Sequence, residues 1–280
     1  MLLCIGDHIA AGEYVVHSYF SQAINFIRRG EKGGISPLMV SFVTEDIGPG
    51  PTNIVVRHLK RFQNSSLRIS DHSLITRSRT DSFDNTSWYD STLDFRSVQR
   101  ESFTSRLKRF ETILLQTAPP KSLAFLLEPK RERQFTSEFE QAYVARIRTG
   151  IREIVSGNVG RGIGMIKGLG FGLTPSGDDF IVGFLLGLVI IEGIDGRDLR
   201  ALRQQIYDMT VSQNPISNTF LYCAKEGWVF ERWKHVLTLL LKYDTLSMDG
   251  AIRRLLSVGE TSGADSAVGF VFSMKYVREM

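Results

Sequence analysis

The stretch of sequence that decides the fold is Gly168-Leu-Gly-Phe-Gly-Leu-Thr-Pro-Ser-Gly-Asp-Asp-Phe-Ile-Val-Gly-Phe184. A second stretch near the C-terminus, Gly259-Glu-Thr-Ser-Gly-Ala-Asp-Ser-Ala-Val-Gly-Phe270, repeats part of it. Aligned on Ser176 and Ser262, the two stretches agree at six of nine positions. A serine followed three residues later by an aspartate is typical of a capped helix start. We therefore predict that each stretch opens a helix and that the serine hydroxyl caps it.

The glycines inside the repeat predict that these two helices pack closely. Gly183 and Gly187 give the first helix a stripe without side chains, and Gly269 has the matching place in the second. Helices that cross at such positions bring their backbones near each other. Their N-termini would then offer N–H groups and positive dipole ends to one shared cavity. The sequence therefore predicts a binding site for an anionic ligand at two helix starts.

Three aspartates in the repeats are the candidate catalytic residues. Asp178 and Asp179 lie in the first turn of the first helix, and Asp265 has the place of Asp179 in the second. Three roles stay open: they hold a hydroxyl or amide of a substrate, they bind Mg²⁺ together with waters, or they are solvated acids of the first turn. The residue pattern alone does not choose among these roles.

The loop before the first repeat carries alternating glycines at 168, 170 and 172. We interpret them as a loop whose backbone approaches a ligand closely. The loop is not a P-loop, because no lysine follows the glycines in the required place. Neither cysteines nor histidines have the spacing of a metal site, so no metal is predicted beyond the Mg²⁺ alternative.

The rest of the chain predicts an α+β fold. Short β-branched segments at 37–44, 53–57 and 66–70 predict antiparallel strands, for which a barrel is one arrangement, and the Gly- and Pro-rich connection at 45–53 predicts a hairpin. Apolar residues at steps of three and four predict helices from Thr136 onward, the first with a capping box of Ser137 and Glu140. We expect a β-rich domain at 1–118 and a mostly helical domain at 119–280. The later helices are predicted at about 177–192, 196–212, 216–226, 229–243, 247–257 and 263–278.

Composition excludes several classes of protein. Hydrophobic residues make up 42% of the 280 residues and charged residues 23%, as in ordinary globular proteins. The net charge of +4 is spread evenly, since residues 1–120 hold 14 Lys and Arg against 12 Asp and Glu, so nucleic acid is not an expected partner. The longest apolar run, 180–191, is too short to cross a membrane, and the N-terminus lacks a signal-peptide pattern. We expect a cytoplasmic protein.

Three segments resemble a bacterial family, long catalogued as a domain of unknown function, that includes the AllH-type subunit of oxamate carbamoyltransferase. The segments at 172–179 and 259–265 are similar to its two signatures, and Ile47-Gly-Pro-Gly-Pro-Thr-Asn53 is similar to its N-terminal turn. The resemblance implies an enzyme subunit of purine (allantoin, oxalurate) nitrogen breakdown. It implies partner subunits and transfer of a carbamoyl group between oxalurate or oxamate and phosphate.

The combined interpretation assigns catalysis to the three aspartates and substrate binding to the surrounding loops. The substrate-binding residues are predicted to be Gly48, Gly50, Asn53, Gly170, Gly172, Thr174, Ser176, Gly177, Thr261, Ser262 and Gly263. Two alternatives stay open: a Mg²⁺-dependent hydrolase that uses the aspartates, and a non-catalytic scaffolding subunit that needs an exposed apolar patch.

Overall fold

The computed structural model describes residues 1–30, 39–63, 66–77, 79–96, 98–242 and 248–277. Parts of the predicted strand at 37–44 and of three predicted helix ends lie outside these ranges. Contacts divide the chain into unit 1, residues 1–93 with 228–234, and unit 2, residues 94–227 with 235–280.

Unit 1 is built on a nine-stranded curled sheet within the described residues. Its strand order is β8-β7-β6-β2-β3-β4-β5-β1-β9, and most neighbouring pairs are antiparallel. Aliphatic and aromatic side chains, with Ile5, Ile24, Phe26 and Phe42 fully buried, form its core. The strands are β1 (Leu2–Gly6), β2 (Gly12–Tyr19), β3 (Ala23–Arg28), β4 (Met39–Val43), β5 (Asn53–Val56), β6 (Leu67–Ile69), β7 (Ser73–Ile75), β8 (Thr80–Ser82) and β9 (Ser87–Tyr89).

The predicted hairpin at 45–53 is wrong, because β4 and β5 are parallel neighbours in the sheet. The connection leaves the end of β4 and returns beside β4, where β5 begins opposite Ser41. Gly48 donates its N–H to the Thr44 carbonyl at 3.2 Å, and the Asn53 side-chain amide donates to the Gly48 carbonyl at 3.1 Å. Gly48 has a φ of +86°, which favours glycine. These bonds return the chain to the start of β4, so β5 runs in the same direction.

Unit 2 is mostly helical, as predicted. The described helices are α1 (Arg100–Thr117), α2 (Glu138–Val155), α3 (Val159–Ile166), α4 (Ser176–Asp195), α5 (Arg200–Thr210), α6 (Pro215–Glu226), α7 (Glu231–Lys242), whose first residues belong to unit 1, α8 (Met248–Leu256) and α9 (Ser262–Tyr276). Short 3-10 segments lie at Leu59–Phe62, Leu123–Leu126 and Pro129–Gln134. In the described part of the chain, no helix has both the length and the apolar character that a bilayer crossing requires.

Local signals place several of these helices. The predicted capping box at Ser137 and Glu140 is confirmed at the start of α2. Helix α1 was not predicted, because its sequence is polar and only a few residues, such as Phe103, Phe110 and Ile113, face the core. Together, the sheet and the helices confirm the α+β class.

Helices α4 and α9 cross at the glycines of the two repeats. A methyl group added to Gly183 would overlap the Ser266 carbonyl of α9, and one added to Gly269 would overlap the Phe180 carbonyl of α4. The contact is reciprocal, since these glycines occupy equivalent places in the two repeats. Because only glycine allows this approach, the repeat fixes where the helices cross and brings their N-termini together.

Candidate functional site

The starts of α4 and α9 form a cluster of polar side chains that we call the helix-start cluster. The Thr174 hydroxyl lies 3.0 Å from the Ser262 hydroxyl, so the loop before α4 contacts the first residue of α9. The cluster is partly buried and partly open, because its two aspartates are buried whereas Thr174, Thr261 and Ser262 are half-buried. Its members are Tyr143, Thr174, Ser176, Asp179, Thr261, Ser262 and Asp265.

The two serines do not cap their own helices, so that prediction is wrong. The N-cap positions are Pro175 and Thr261, and neither makes a side-chain capping bond. Each serine is instead the first helical residue and lies against the aspartate of the other helix. Ser262 lies beside Asp179, and Ser176 lies beside Asp265. The repeat thus pairs a serine of one helix with an acid of the other.

Asp265 is the most buried acid of the cluster. Its side chain is 0% exposed, and its Oδ1 accepts the Leu123 N–H at 2.6 Å. The other oxygen, Oδ2, has no hydrogen-bond partner among the described residues. Burial raises the pKa of Asp265 to about 6, although the Leu123 N–H and the nearby Ser176 and Thr261 hydroxyls oppose the rise. A buried oxygen without a partner is costly and requires an explanation.

Asp179 lies close enough to Asp265 for the two charges to interact. It is 8% exposed, and the Thr174 hydroxyl donates to its Oδ2 at 3.1 Å. Burial raises the pKa of Asp179 well above its ordinary range, and the charge of Asp265 raises it further. Two buried carboxyl groups with raised pKa values hold one proton between them at neutral pH. The pair therefore has one proton to donate and, at Asp265 Oδ2, one oxygen without a hydrogen-bond partner in the described chain.

Tyr143 is a member of the cluster that the sequence does not single out as a site residue. Its hydroxyl lies beside Ser176, and its ring packs between Phe135 and Phe171. Burial raises the pKa of the Tyr143 hydroxyl, and the charges of Asp265 and Asp179 add to the effect. The hydroxyl therefore stays protonated. No local sequence signal marks it, because it reaches the cluster from α2.

Asp178 has a different surrounding from the other two aspartates. Its Oδ1 accepts the Gly168 N–H at 2.7 Å, so it holds the loop before α4 in place. The loop glycines at 168, 170 and 172 all have positive φ values, of 68°, 123° and 93°. Gly170 also lies against the backbone of Ser176. Loop conformation alone thus accounts for these glycines, and their predicted contact with a ligand stays a prediction.

Part of the predicted set of free N–H groups is already used within the chain. Gly177 donates to the Leu169 carbonyl at 2.8 Å, and Gly263 donates to the Val258 carbonyl at 3.1 Å. The N–H groups of Ser176 and Ser262 have no acceptor in the described part of the chain. The positions available to an anion are therefore fewer than the sequence suggests.

The remaining predicted residues, Gly48, Gly50 and Asn53, lie in unit 1. An added side-chain carbon at Gly48 would meet the Glu231 carboxylate, and one at Gly50 would meet the Phe230 ring. Asn53 holds the turn through its bond to Gly48. These contacts give each residue a structural role in unit 1, and their contact with substrate stays a prediction.

The described residues contain no group of three or more His, Cys, Asp or Glu side chains placed to hold a metal ion. The aspartates of the repeats divide between two surroundings, since Asp178 binds the loop while Asp179 and Asp265 face hydroxyl groups. The geometry therefore gives the Mg²⁺-dependent hydrolase no support.

Unit 1 has a separate depression of about 230 Å³ whose lining mixes apolar, polar and charged residues, among them Glu13 of β2 and Arg68 of β6. The Glu13–Arg29 ion pair at its edge is 3.5 Å long and more than half exposed on both sides. Solvent screens such a pair. The depression therefore offers no buried group comparable to Asp265.

Comparison with known protein families gives a match within the helical region. Residues 166–274 match the family model described as oxamate carbamoyltransferase subunit AllH. The match runs from the end of α3 into α9 and includes both repeats, whereas the turn at 47–53 lies outside it. No solved structure matches the chain. The resemblance inferred from the two repeats thus agrees with a match to the AllH family model, which covers residues 166–274, less than half of the chain.

Proposed function

We propose that this chain is a cytoplasmic carbamoyltransferase subunit that moves a carbamoyl group between oxamate or oxalurate and phosphate in purine nitrogen breakdown. The observation that carries the proposal is the unpartnered, fully buried Oδ2 of Asp265 in the domain that matches the AllH family. A protein retains such a group at a stability cost when a ligand completes it.

The cluster contains a pair of carboxyl groups that can exchange a proton with the substrate during carbamoyl transfer. In the direction that breaks down oxalurate, a phosphate oxygen forms a bond to the carbamoyl carbon, and the bond from that carbon to the oxamate nitrogen breaks. The departing nitrogen needs a proton, and we assign its supply to Asp179, because burial and the charge of Asp265 raise the pKa of this carboxyl group. In the reverse direction, Asp179 takes the proton back from the attacking nitrogen.

Charge on the carbonyl oxygen is stabilised by donors that the helix starts provide. The Ser176 and Ser262 N–H groups lie at the positive ends of α4 and α9. The chemistry needs no covalent intermediate on the protein, because phosphate itself is the nucleophile. The chain positions its substrates and stabilises charge.

The test is carbamoyl transfer from oxalurate to phosphate by the full chain with its partner subunits. We expect Asp179→Asn to lower kcat by about 100-fold or more, since an amide cannot transfer the proton. Asp208→Asn, on the exposed face of α5, is the matched control and leaves the rate unchanged. Rates of the Asp179 variant within about twofold of wild type, with the fold retained, would refute the assignment.

A second candidate function, docking of a partner subunit, is favoured by an exposed apolar patch beside the cluster. Phe171 is 61% exposed and lies 5.8 Å, between ring centroids, from the exposed Phe139. Leu173 of the same loop is also exposed. The scaffolding alternative requires such a patch, and the family description names a subunit. Phe139→Ser with Phe171→Ser should abolish copurification with the partner subunits, and retained copurification would exclude this patch as the contact.

A further inference from the structure

The helix-start cluster contains carboxyl and hydroxyl groups but no lysine, arginine or histidine side chain. No lysine, arginine or histidine contributes to the pKa of Asp179 or Asp265. Elsewhere in unit 2 acids do have such partners, as Asp94 has in Arg96 and Lys242. A ligand group that carries a second negative charge would therefore meet two carboxyl groups without a cation to offset it.

The two carboxyl groups instead form a matched donor and acceptor. The pair shares a proton that a ligand can accept, and Asp265 offers Oδ2, which has no hydrogen-bond partner among the described residues although the Ser176 and Thr261 hydroxyls lie near the carboxyl group. Oδ1 of Asp265 is fixed by the Leu123 N–H at 2.6 Å, so the carboxylate does not rotate freely. A primary carboxamide has the complementary pattern, since its carbonyl accepts and its NH₂ group donates.

We propose that the helix-start cluster recognises the uncharged carboxamide end of its ligand, with Asp265 Oδ2 accepting a hydrogen bond from the NH₂ group and Asp179 next to the same amide. The inference rests on the proposed function and deepens it. It makes Asp265 the residue that selects an amide over a carboxylate of the same size. Thr174, Thr261 and Ser262 are the half-buried members of the cluster, whereas Asp179 and Asp265 are buried.

Of the roles that the sequence leaves open for the aspartates, this one is contact with an amide, and the expected anion contact at the helix starts stays a prediction. A carboxylate at the far end of the ligand can still face the Ser262 N–H at the start of α9. The end that lies between the two acids has to be neutral. Leaving a buried polar group unpaired costs far more than a poor fit of apolar surface, so this end dominates selectivity.

The experiment is calorimetric binding of oxamate and oxalate to the full chain at pH 7, without phosphate or partner subunits. The two probes differ only in an NH₂ group in place of an oxygen. We expect oxamate to bind at least about 10-fold more tightly, a difference of about 1.4 kcal/mol. Equal affinities, tighter binding of oxalate, or binding of neither probe would overturn the inference.

A variant tests which residue selects the amide. Asp265→Asn keeps an oxygen for the Leu123 N–H but places an NH₂ group against that of the ligand. We expect the preference for oxamate to fall to about onefold or to invert, because two donors then face each other. Asp208→Asn should keep the wild-type preference. An unchanged preference in a folded Asp265 variant would overturn the assignment.

If the Asp265 variant does not fold, the affinities of wild type for oxamate and oxalate still test the amide site. The binding experiment and the transfer assay also distinguish failure of the amide site from failure of the proposed function. A preference for oxamate without any carbamoyl transfer would refute the proposed function but retain the amide site. Transfer with equal affinities for oxamate and oxalate would refute the amide site alone.

Discussion

The substitution Asp265→Asn should stabilise the protein at high pH while it removes selectivity for an amide. Wild-type Asp265 is 0% exposed and has a pKa of about 6, above the ordinary value of 3.8. The folded state therefore binds more protons than the unfolded state between these values, and stability falls as the pH rises through this range. An asparagine at this position carries no charge, so it adds no loss of stability over this pH range.

The magnitude follows from the shift of about two pKa units. Each unit corresponds to about 1.4 kcal/mol, so the full penalty is about 3 kcal/mol once the pH exceeds 6. Between pH 4.5 and pH 8, the free energy of unfolding of wild type should fall by about 2 kcal/mol relative to that of the variant. Titrating groups that do not interact with Asp265 cancel in the difference, whereas the pKa of Asp179 falls in the variant because the charge of Asp265 no longer raises it, which acts in the same direction.

The assay is urea denaturation of wild type, Asp265→Asn and the exposed control Asp208→Asn at the two pH values. The linear dependence on urea gives each free energy of unfolding, provided that the transition is two-state. We expect the control to follow wild type. A wild type–variant difference that stays constant within about 0.5 kcal/mol between the two pH values would refute the reasoning. Such a result would mean that ionisation of Asp265 does not lower the free energy of unfolding.

Three further predictions concern the elements that position the cluster. Gly183→Ala should destabilise the protein by about 3 kcal/mol in urea denaturation, because the added methyl group overlaps the Ser266 carbonyl. The control Gly250→Ala, whose methyl group meets open space in α8, should be neutral or stabilise by up to about 1 kcal/mol. Equal effects of the two substitutions would contradict the crossing of α4 and α9. Ser137→Ala should lower stability by about 1 kcal/mol through loss of the α2 cap, and an unchanged Tm would contradict the capping box. Gly48→Ala should destabilise unit 1 by about 1 kcal/mol or more, since φ is +86° and Glu231 occupies the space, and a neutral effect would refute the description of the turn.

The sequence was sufficient to predict the helix pair that builds the cluster. The two repeats identify α4 and α9, and their glycines predict the crossing. Glycine destabilises a helix, so glycines at a helical spacing indicate that another backbone packs closely against them. Asp179 and Asp265 were also found, since the repeat places them at equivalent positions. Such inferences succeed where a local pattern has one structural meaning.

The errors arose where local patterns have more than one meaning. Ser176 and Ser262 have the spacing of caps, but their hydroxyls turn to the aspartate of the opposite helix, which only the packed structure shows. The turn at 45–53 resembles a hairpin, yet its hydrogen bonds make β5 parallel to β4. Tyr143 joins the cluster through tertiary packing, and no spacing in the chain reports that.

The central claim is that a carbamoyl or carboxamide ligand completes the unpartnered oxygen of Asp265. A crystal structure of the full chain with oxamate, at a concentration that saturates binding, tests it most directly. We predict oxamate between the starts of α4 and α9, with its amide nitrogen about 3 Å from Asp265 Oδ2. Oxamate bound elsewhere on the chain, or bound with its carboxylate toward Asp265, would contradict the account.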